Sequence, residues 1–115
     1  MPPSVPPPAS LGEFEVVLLM AVLHLTERQE PANGSAIRAE IEVRTRRPAP
    51  RGSIYVTLDR LEEKGLLTSR LQPDRGGRRP KRLFRVTPAG VRGVRQAVDT
   101  VVSMHRGLEP VLERS

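Results

Sequence analysis

Apolar positions change their period along the chain, and each change predicts an element. Leu11, Phe14, Val17, Leu18, Ala21, Val22 and Leu25 recur at spacings of three and four, the signature of one helix face. Val16, Leu19, Met20 and Leu23 fill much of the remaining circumference. This first helix, expected to reach about Thr26, therefore needs burial on several sides, at a core centre or in a subunit interface. Ser10, with Glu13 three residues on, reads as its capping box. Pro31, Asn33 and Gly34 break the pattern. A second, short helix is expected from Ser35 as N-cap to about Arg44, with Ile37 and Ile41 inside. Arg46–Pro50 is a second breaker, because each proline pushes its predecessor out of helical geometry.

A third helix is expected over residues 52–64, capped by Ser53 and stopped by Gly65. Ile54, Leu58 and Leu61 form its inner stripe, and Ser53, Val56, Thr57, Arg60 and Lys64 its outer face. Beyond Gly65 the period falls to two. Leu67, Ser69 and Leu71 alternate with polar residues, a Pro73–Gly77 turn follows, and a second run spans Lys81–Val86. Thr87-Pro88 then opens a last helix running towards Leu112, weakened by Gly107 and Pro110. Val91, Val94, Val98, Val101, Val102 and Leu108 share one of its faces.

Helix, helix, helix, hairpin, long helix is the plan of a winged helix-turn-helix. The expected fold class is mainly α with a small β-hairpin. Its parts are a disordered Pro-rich tail (residues 1–9), a winged helix-turn-helix (10–87) and a C-terminal dimerisation helix (88–115). A chain of 115 residues holds one domain. With 37% apolar and 3% aromatic residues its own core is thin, and the stripe on the last helix exceeds what so small a domain covers. Self-association through Phe14, Leu18, Val94, Val98, Val101, Val102 and Leu108 is the better account of it.

Charge gives these elements a purpose. The net charge is +6, but residues 1–50 hold five Arg and six Glu (net −1), and residues 51–115 hold fourteen bases and seven acids (net +7). Arg70 to Arg95 alone holds nine bases and one acid. Such a block is often only a solvated surface, yet here much of it falls on the hairpin, directly after a third helix whose outer face carries Ser53, Thr57, Arg60 and Lys64. Those are the two elements that a winged helix lays against the major groove and the neighbouring phosphates. Seventeen of the nineteen bases are Arg, the side chain suited to bidentate grips on phosphate and base edges.

Other chemistry is scarce. Cysteine is absent, which removes disulfides, thiolate ligands and cysteine nucleophiles. His24 and His105 have no ligand-spaced partners, and Glu62 and Glu63 point apart on a helix with no nucleophile beside them. No metal, cofactor or enzymatic activity is expected. The longest apolar run, Val16–Leu23, is eight residues, too short for a bilayer. No secretory pattern opens the chain, so the expected location is the cytoplasm, at the nucleoid.

The stretch from Gly52 to Leu67, Gly-Ser-Ile-Tyr-Val-Thr-Leu-Asp-Arg-Leu-Glu-Glu-Lys-Gly-Leu-Leu, resembles the recognition-helix signature of the PadR family of bacterial transcriptional regulators. Gly76-Gly77-Arg78-Arg79, Phe84-Arg85-Val86-Thr87-Pro88-Ala89-Gly90 and the opening Leu11-Gly12-Glu13-Phe14-Glu15 resemble it too. The likeness spans roughly residues 11–112, and the single terminal helix matches the short subgroup, whose members dimerise through it. Two departures stand out: Asn33-Gly34 where the family often has Tyr-Gly, and Leu83-Phe84 where an aromatic pair is common.

The resemblance implies a repressor. It also implies an interface pocket for a small hydrophobic effector, and the absence of tryptophan excludes a pocket of stacked indoles. It further implies that the Tyr55 hydroxyl meets a phosphate of double-stranded DNA; the plain alternative is a half-buried ring. Arg60 can reach a guanine edge or pair with Glu62 or Glu63. Lys64 can serve DNA or only the helix dipole. Arg51 reads as a phosphate clamp, and Arg78, Arg79, Lys81 and Arg82 as a set of phosphate contacts. Ser53 and Thr57 complete the groove-facing surface. The expected function is a homodimeric, sequence-specific regulator reading a pseudo-palindrome with helix 52–64 and the wing 70–86. The competing readings are a basic winged-helix module for structured RNA, or one for a protein partner.

Overall fold

The structure, a computed structural model, describes residues 11–73 and 80–114. The proline-rich tail, the Ser10 cap and the hairpin tip with Arg75, Arg78 and Arg79 lie outside the described residues. The elements are α1 (Glu13–Glu27), α2 (Gly34–Thr45), α3 (Arg51–Glu63), β1 (Leu67–Gln72), β2 (Lys81–Val86), α4 (Pro88–His105) and α5 (Glu109–Glu113). Mostly helical, with one two-stranded antiparallel hairpin, this is the winged helix-turn-helix expected.

The core forms where the inner stripes meet. Leu18, Leu19 and Val22 of α1, Ile37 and Ile41 of α2, and Ile54, Leu58 and Leu61 of α3 enclose one another, with Leu67 and Phe84 closing the hairpin side. As its all-round apolar pattern required, α1 is central and contacts α2, α3, β2 and α4.

Helix boundaries differ from expectation where a group other than the expected serine sets the start of the helix. α1 begins after an extended Gly12, whose N–H donates to Glu15 Oε1 at 2.9 Å, so the reach-back acid is Glu15 rather than Glu13. α2 is capped by Asn33, whose side chain accepts from the Ala36 amide at 2.9 Å; Ser35 is one residue too late. α3 begins at Arg51 behind Pro50, with Ser53 already inside its first turn. The turn before it is fixed from α2: Arg38 Nε donates to the Ala49 carbonyl at 2.7 Å, and the Ala49 amide donates to Glu42 Oε2 at 3.0 Å. With both Ala49 backbone groups held, no Ser cap is needed to set where α3 starts.

The hairpin pairs Leu67 with Val86 through to Gln72 with Lys81. A further hydrogen bond, from Phe84 N–H to Ala32 O at 2.9 Å, ties β2 to the α1–α2 loop. The Thr87 cap forms as read: Thr87 Oγ1 accepts from Gly90 N–H at 3.0 Å and donates to Gly65 O at 2.7 Å. Gly90 is where α4 meets the hairpin base, and a Cβ there would lie 2.3 Å from Leu66 O. The expected single terminal helix does not run on to Leu112. It stops at His105, turns through Gly107 at φ +86°, and restarts as the one-turn α5. Among the described residues no helix is long and apolar enough to cross a membrane.

Candidate nucleic-acid interface

The exposed side of α3 carries Arg51, Ser53, Tyr55, Val56, Asp59 and Arg60. Of the residues assigned to that face from the sequence, Thr57 is buried and Lys64, though exposed, is paired with α1. Thr57 is only 6% exposed, because it follows Ile54 by three and precedes Leu61 by four, which places it at the edge of the buried stripe. Lys64, one heptad further, lies on the same flank. It turns towards α1, where its Nζ donates to Glu15 Oε2 at 2.8 Å. Burial pushes the Glu15 carboxyl up. Hydrogen bonds from Lys64 and the Gly12 amide, with the charges of Lys64 and Arg60, outweigh that and hold it below its usual value. Lys64 is thereby spent on joining α1 to the end of α3. Arg60 takes neither Glu62 nor Glu63: among the described residues no ion pair holds it or Arg51.

Tyr55 is half-exposed and packs its ring across the start of α2. A Cβ on Gly34 would sit 2.7 Å from the Tyr55 hydroxyl oxygen, so the glycine that opens α2 makes room for the tyrosine of α3. A cleft of about 180 Å³ between the two helix starts is lined by Ser35, Arg38, Arg51 and Tyr55 among others. Amides at a helix start and a nearby arginine are what a phosphate oxygen requires.

In the wing, strand parity divides the basic residues. Thr68, Arg70, Leu83, Arg85 and Lys81 fall on one face, and Leu67, Ser69, Arg82 and Phe84 on the other. Lys81 is exposed. Its neighbour Arg82 turns inward: Nη1 donates to Asp59 Oδ1 at 3.2 Å, Nη2 to Glu62 Oε1, and the guanidinium lies 4.8 Å from the Phe84 ring centroid. Lys81 and Arg82 therefore do not act as one set. The sequence pattern did not single out Arg70, Arg85, Asp59 or Glu62 as site residues, although the alternation of the hairpin already puts Arg82 opposite Lys81, Arg70 and Arg85.

The surface assigned to self-association also splits. Leu18 is fully buried and Val94 only 9% exposed, so both serve this chain's own core, where α4 crosses α1. Phe14 is half-buried against the same core. Val98, Val101 and Val102 are exposed on α4, and Leu108 is exposed in the turn between α4 and α5 rather than on a continuous helix face. With Val16, Val17 and Met20 of α1, the exposed valines line an apolar groove of about 590 Å³.

The model of the transcriptional regulator PadR-like family matches residues 22–96. No curated protein matches the chain in sequence. Among solved structures, a PadR family transcriptional regulator from Eggerthella lenta is similar with a TM-score of 0.62 at 29% identity, over 84% of this chain and 83% of that one. A PadR family transcription regulator from Clostridium difficile has a TM-score of 0.68 at 17% identity, over 88% of this chain and 99% of that one. PadR from Bacillus subtilis, solved in complex with operator DNA, has a TM-score of 0.61 at 20% identity, over 74% of this chain and 47% of that one. The last two likenesses speak to fold alone.

Proposed function

The chain belongs to the transcriptional regulator PadR-like family, and from that premise we propose that it is a homodimeric, sequence-specific repressor that binds double-stranded DNA. The observation that carries this reading is the exposure of Arg51, Ser53, Tyr55 and Arg60 on α3 together with that of Arg70, Lys81 and Arg85 on one face of the wing. α3 enters the major groove, with Arg60 placed to meet a base edge and Ser53 beside it. Arg51 and the Tyr55 hydroxyl, at the cleft between the starts of α2 and α3, take a backbone phosphate. Lys81, with Arg78 and Arg79 shortly before it in the sequence, supplies cations for the flanking phosphates. Regulation rather than enzymatic chemistry is the family's role, and the work is done in the cytoplasm, at the nucleoid.

Dimerisation supplies what one head lacks. Val98, Val101 and Val102 of one copy, laid against the same groove of a second, would present two α3 helices about one helical turn of DNA apart. A small hydrophobic effector has the α1–α4 groove as its site in this reading. Its lining of Leu11, Val16, Val17, Met20, Ala97 and Val101 is aliphatic, so shape and dispersion rather than ring stacking would select it.

The test is duplex binding across a salt series. Affinity that falls steeply with salt, and a preference for one selected site over random DNA, is the expected result. Equal binding of folded RNA with no preferred duplex would favour the RNA reading, and no affinity for either nucleic acid would favour a protein partner.

A further inference from the structure

Arg82 is the most connected side chain between the wing and the candidate reading helix. Its two terminal nitrogens reach two carboxylates one turn apart on α3, Asp59 Oδ1 at 3.2 Å and Glu62 Oε1. Nη2 also lies 3.4 Å from Ser69 Oγ on β1, and that hydroxyl donates to Glu62 Oε2 at 2.7 Å. Beneath the guanidinium lies Phe84, a buried core residue whose own N–H is held by Ala32 O. One planar group thus touches α3, β1 and β2 together. We propose that Arg82 is a positioning residue: it locks the wing to α3 so that the two meet the duplex as one rigid body, and it does not itself grip a phosphate.

Three physical points favour this assignment. The donors of Arg82 are directed at carboxylates, and the guanidinium plane is fixed between an aromatic face and a fork of acceptors, the arrangement that restrains arginine most. Asp59 and Glu62 would otherwise present two negative charges beside a polyanion; Arg82 offsets one of them and orients both. The core holds the hairpin at its base through Leu67 and Phe84, but the hairpin is only two strands wide and an isolated two-stranded hairpin is marginal in water, so a side chain that ties it to α3 further out adds to what sets its angle.

The inference rests on the DNA-binding reading, and its test separates the two. Wild type, Arg82→Ala, Arg82→Lys and Glu62→Gln are compared for duplex affinity over a salt series, with thermal melts showing that each folds. A positioning role predicts that Arg82→Ala and Arg82→Lys weaken binding alike, by about fivefold, with the salt slope unchanged, because lysine keeps the charge but not the fork. Glu62→Gln also weakens binding, even though it removes a negative charge near DNA. Three results would overturn the proposal: recovery of affinity by Arg82→Lys, a slope reduced by about 0.9 in Arg82→Ala as for a lost phosphate contact, or tighter binding by Glu62→Gln. A wild-type chain with no affinity for any duplex would overturn the DNA reading and the proposal together.

Discussion

The three helices α1–α3 and the distal half of α4 treat their side chains in opposite ways. In the first region the apolar stripes are buried internally: Leu18, Leu58 and Leu61 have no exposure, only Val43, Val56 and Tyr55 of its large apolar residues are exposed, and charged neighbours close on one another. Arg28 and Arg44 both reach Glu40, Arg38 pairs with Glu42, and Lys64 with Glu15. In the second region Val101 is 67% and Met104 73% exposed, beside Val98 and Val102. One chain therefore completes one core and leaves a second apolar surface open. Burying a valine or leucine is worth about 1.5–3 kcal/mol, so a few such residues on each of two copies suffice to favour association. What separates the regions is their surroundings: α1 packs against α2, α3, β2 and α4, while the far end of α4 leaves Val101, Val102 and Met104 exposed.

Truncating side chains in each region should expose that contrast. Leu58→Ala should cost about 2–5 kcal/mol in chemical unfolding, because the cavity would be enclosed by α1, α2 and α3. A denaturation midpoint unchanged from wild type would deny α3 its place in the core. Val98→Glu combined with Val101→Glu should change monomer stability by less than about 0.5 kcal/mol and yet halve the mass seen by sedimentation, since charge would be forced into the shared surface. Gly34→Ala should cost about 1–3 kcal/mol, because its methyl would meet the Tyr55 ring. It should also weaken duplex binding, whereas Gly52→Ala, with open space around it, should not be overpacked.

The smallest effect expected is electrostatic. Hydrogen bonds from Arg28 and Arg44 hold the Glu40 carboxyl down at about 2, against an ordinary 4.5. A group whose folded value is depressed stabilises the fold above its unfolded value and loses that contribution as pH falls through the folded one. Melting temperature should therefore drop between about pH 4.5 and pH 2, and Glu40→Gln should flatten part of that drop. A variant as acid-sensitive as wild type would remove Glu40 from the account.

How much of this was legible in the sequence depends on the kind of interaction. The inner stripes and the hairpin were readable because burial imposes a period on apolar residues. The order of elements and the resemblance in Gly52–Leu67 pointed to the same family that the family model matches. Three caps were misplaced because the groups that end these helices are a backbone amide, a neighbouring Asn, and a turn braced from α2 by Arg38 and Glu42. Thr57 and Lys64 were misread for a related reason: a helix flank can look polar and still face another helix. Glu15 could have been a clue, as an acid directly before the apolar run Val16–Leu23, buried and in need of a partner. The pairing of Arg82 with Asp59 and Glu62 spans more than twenty positions, and no local pattern reports such a contact. Strand parity alone would have told Lys81 from Arg82.

The central claim is that two copies, joined through the exposed end of α4, present two α3 helices to one duplex. Selection of bound fragments from random duplex DNA tests it most directly. The account predicts an inverted repeat with half-sites about one helical turn apart. Enrichment of a single unpaired half-site, or of no sequence at all, would contradict it.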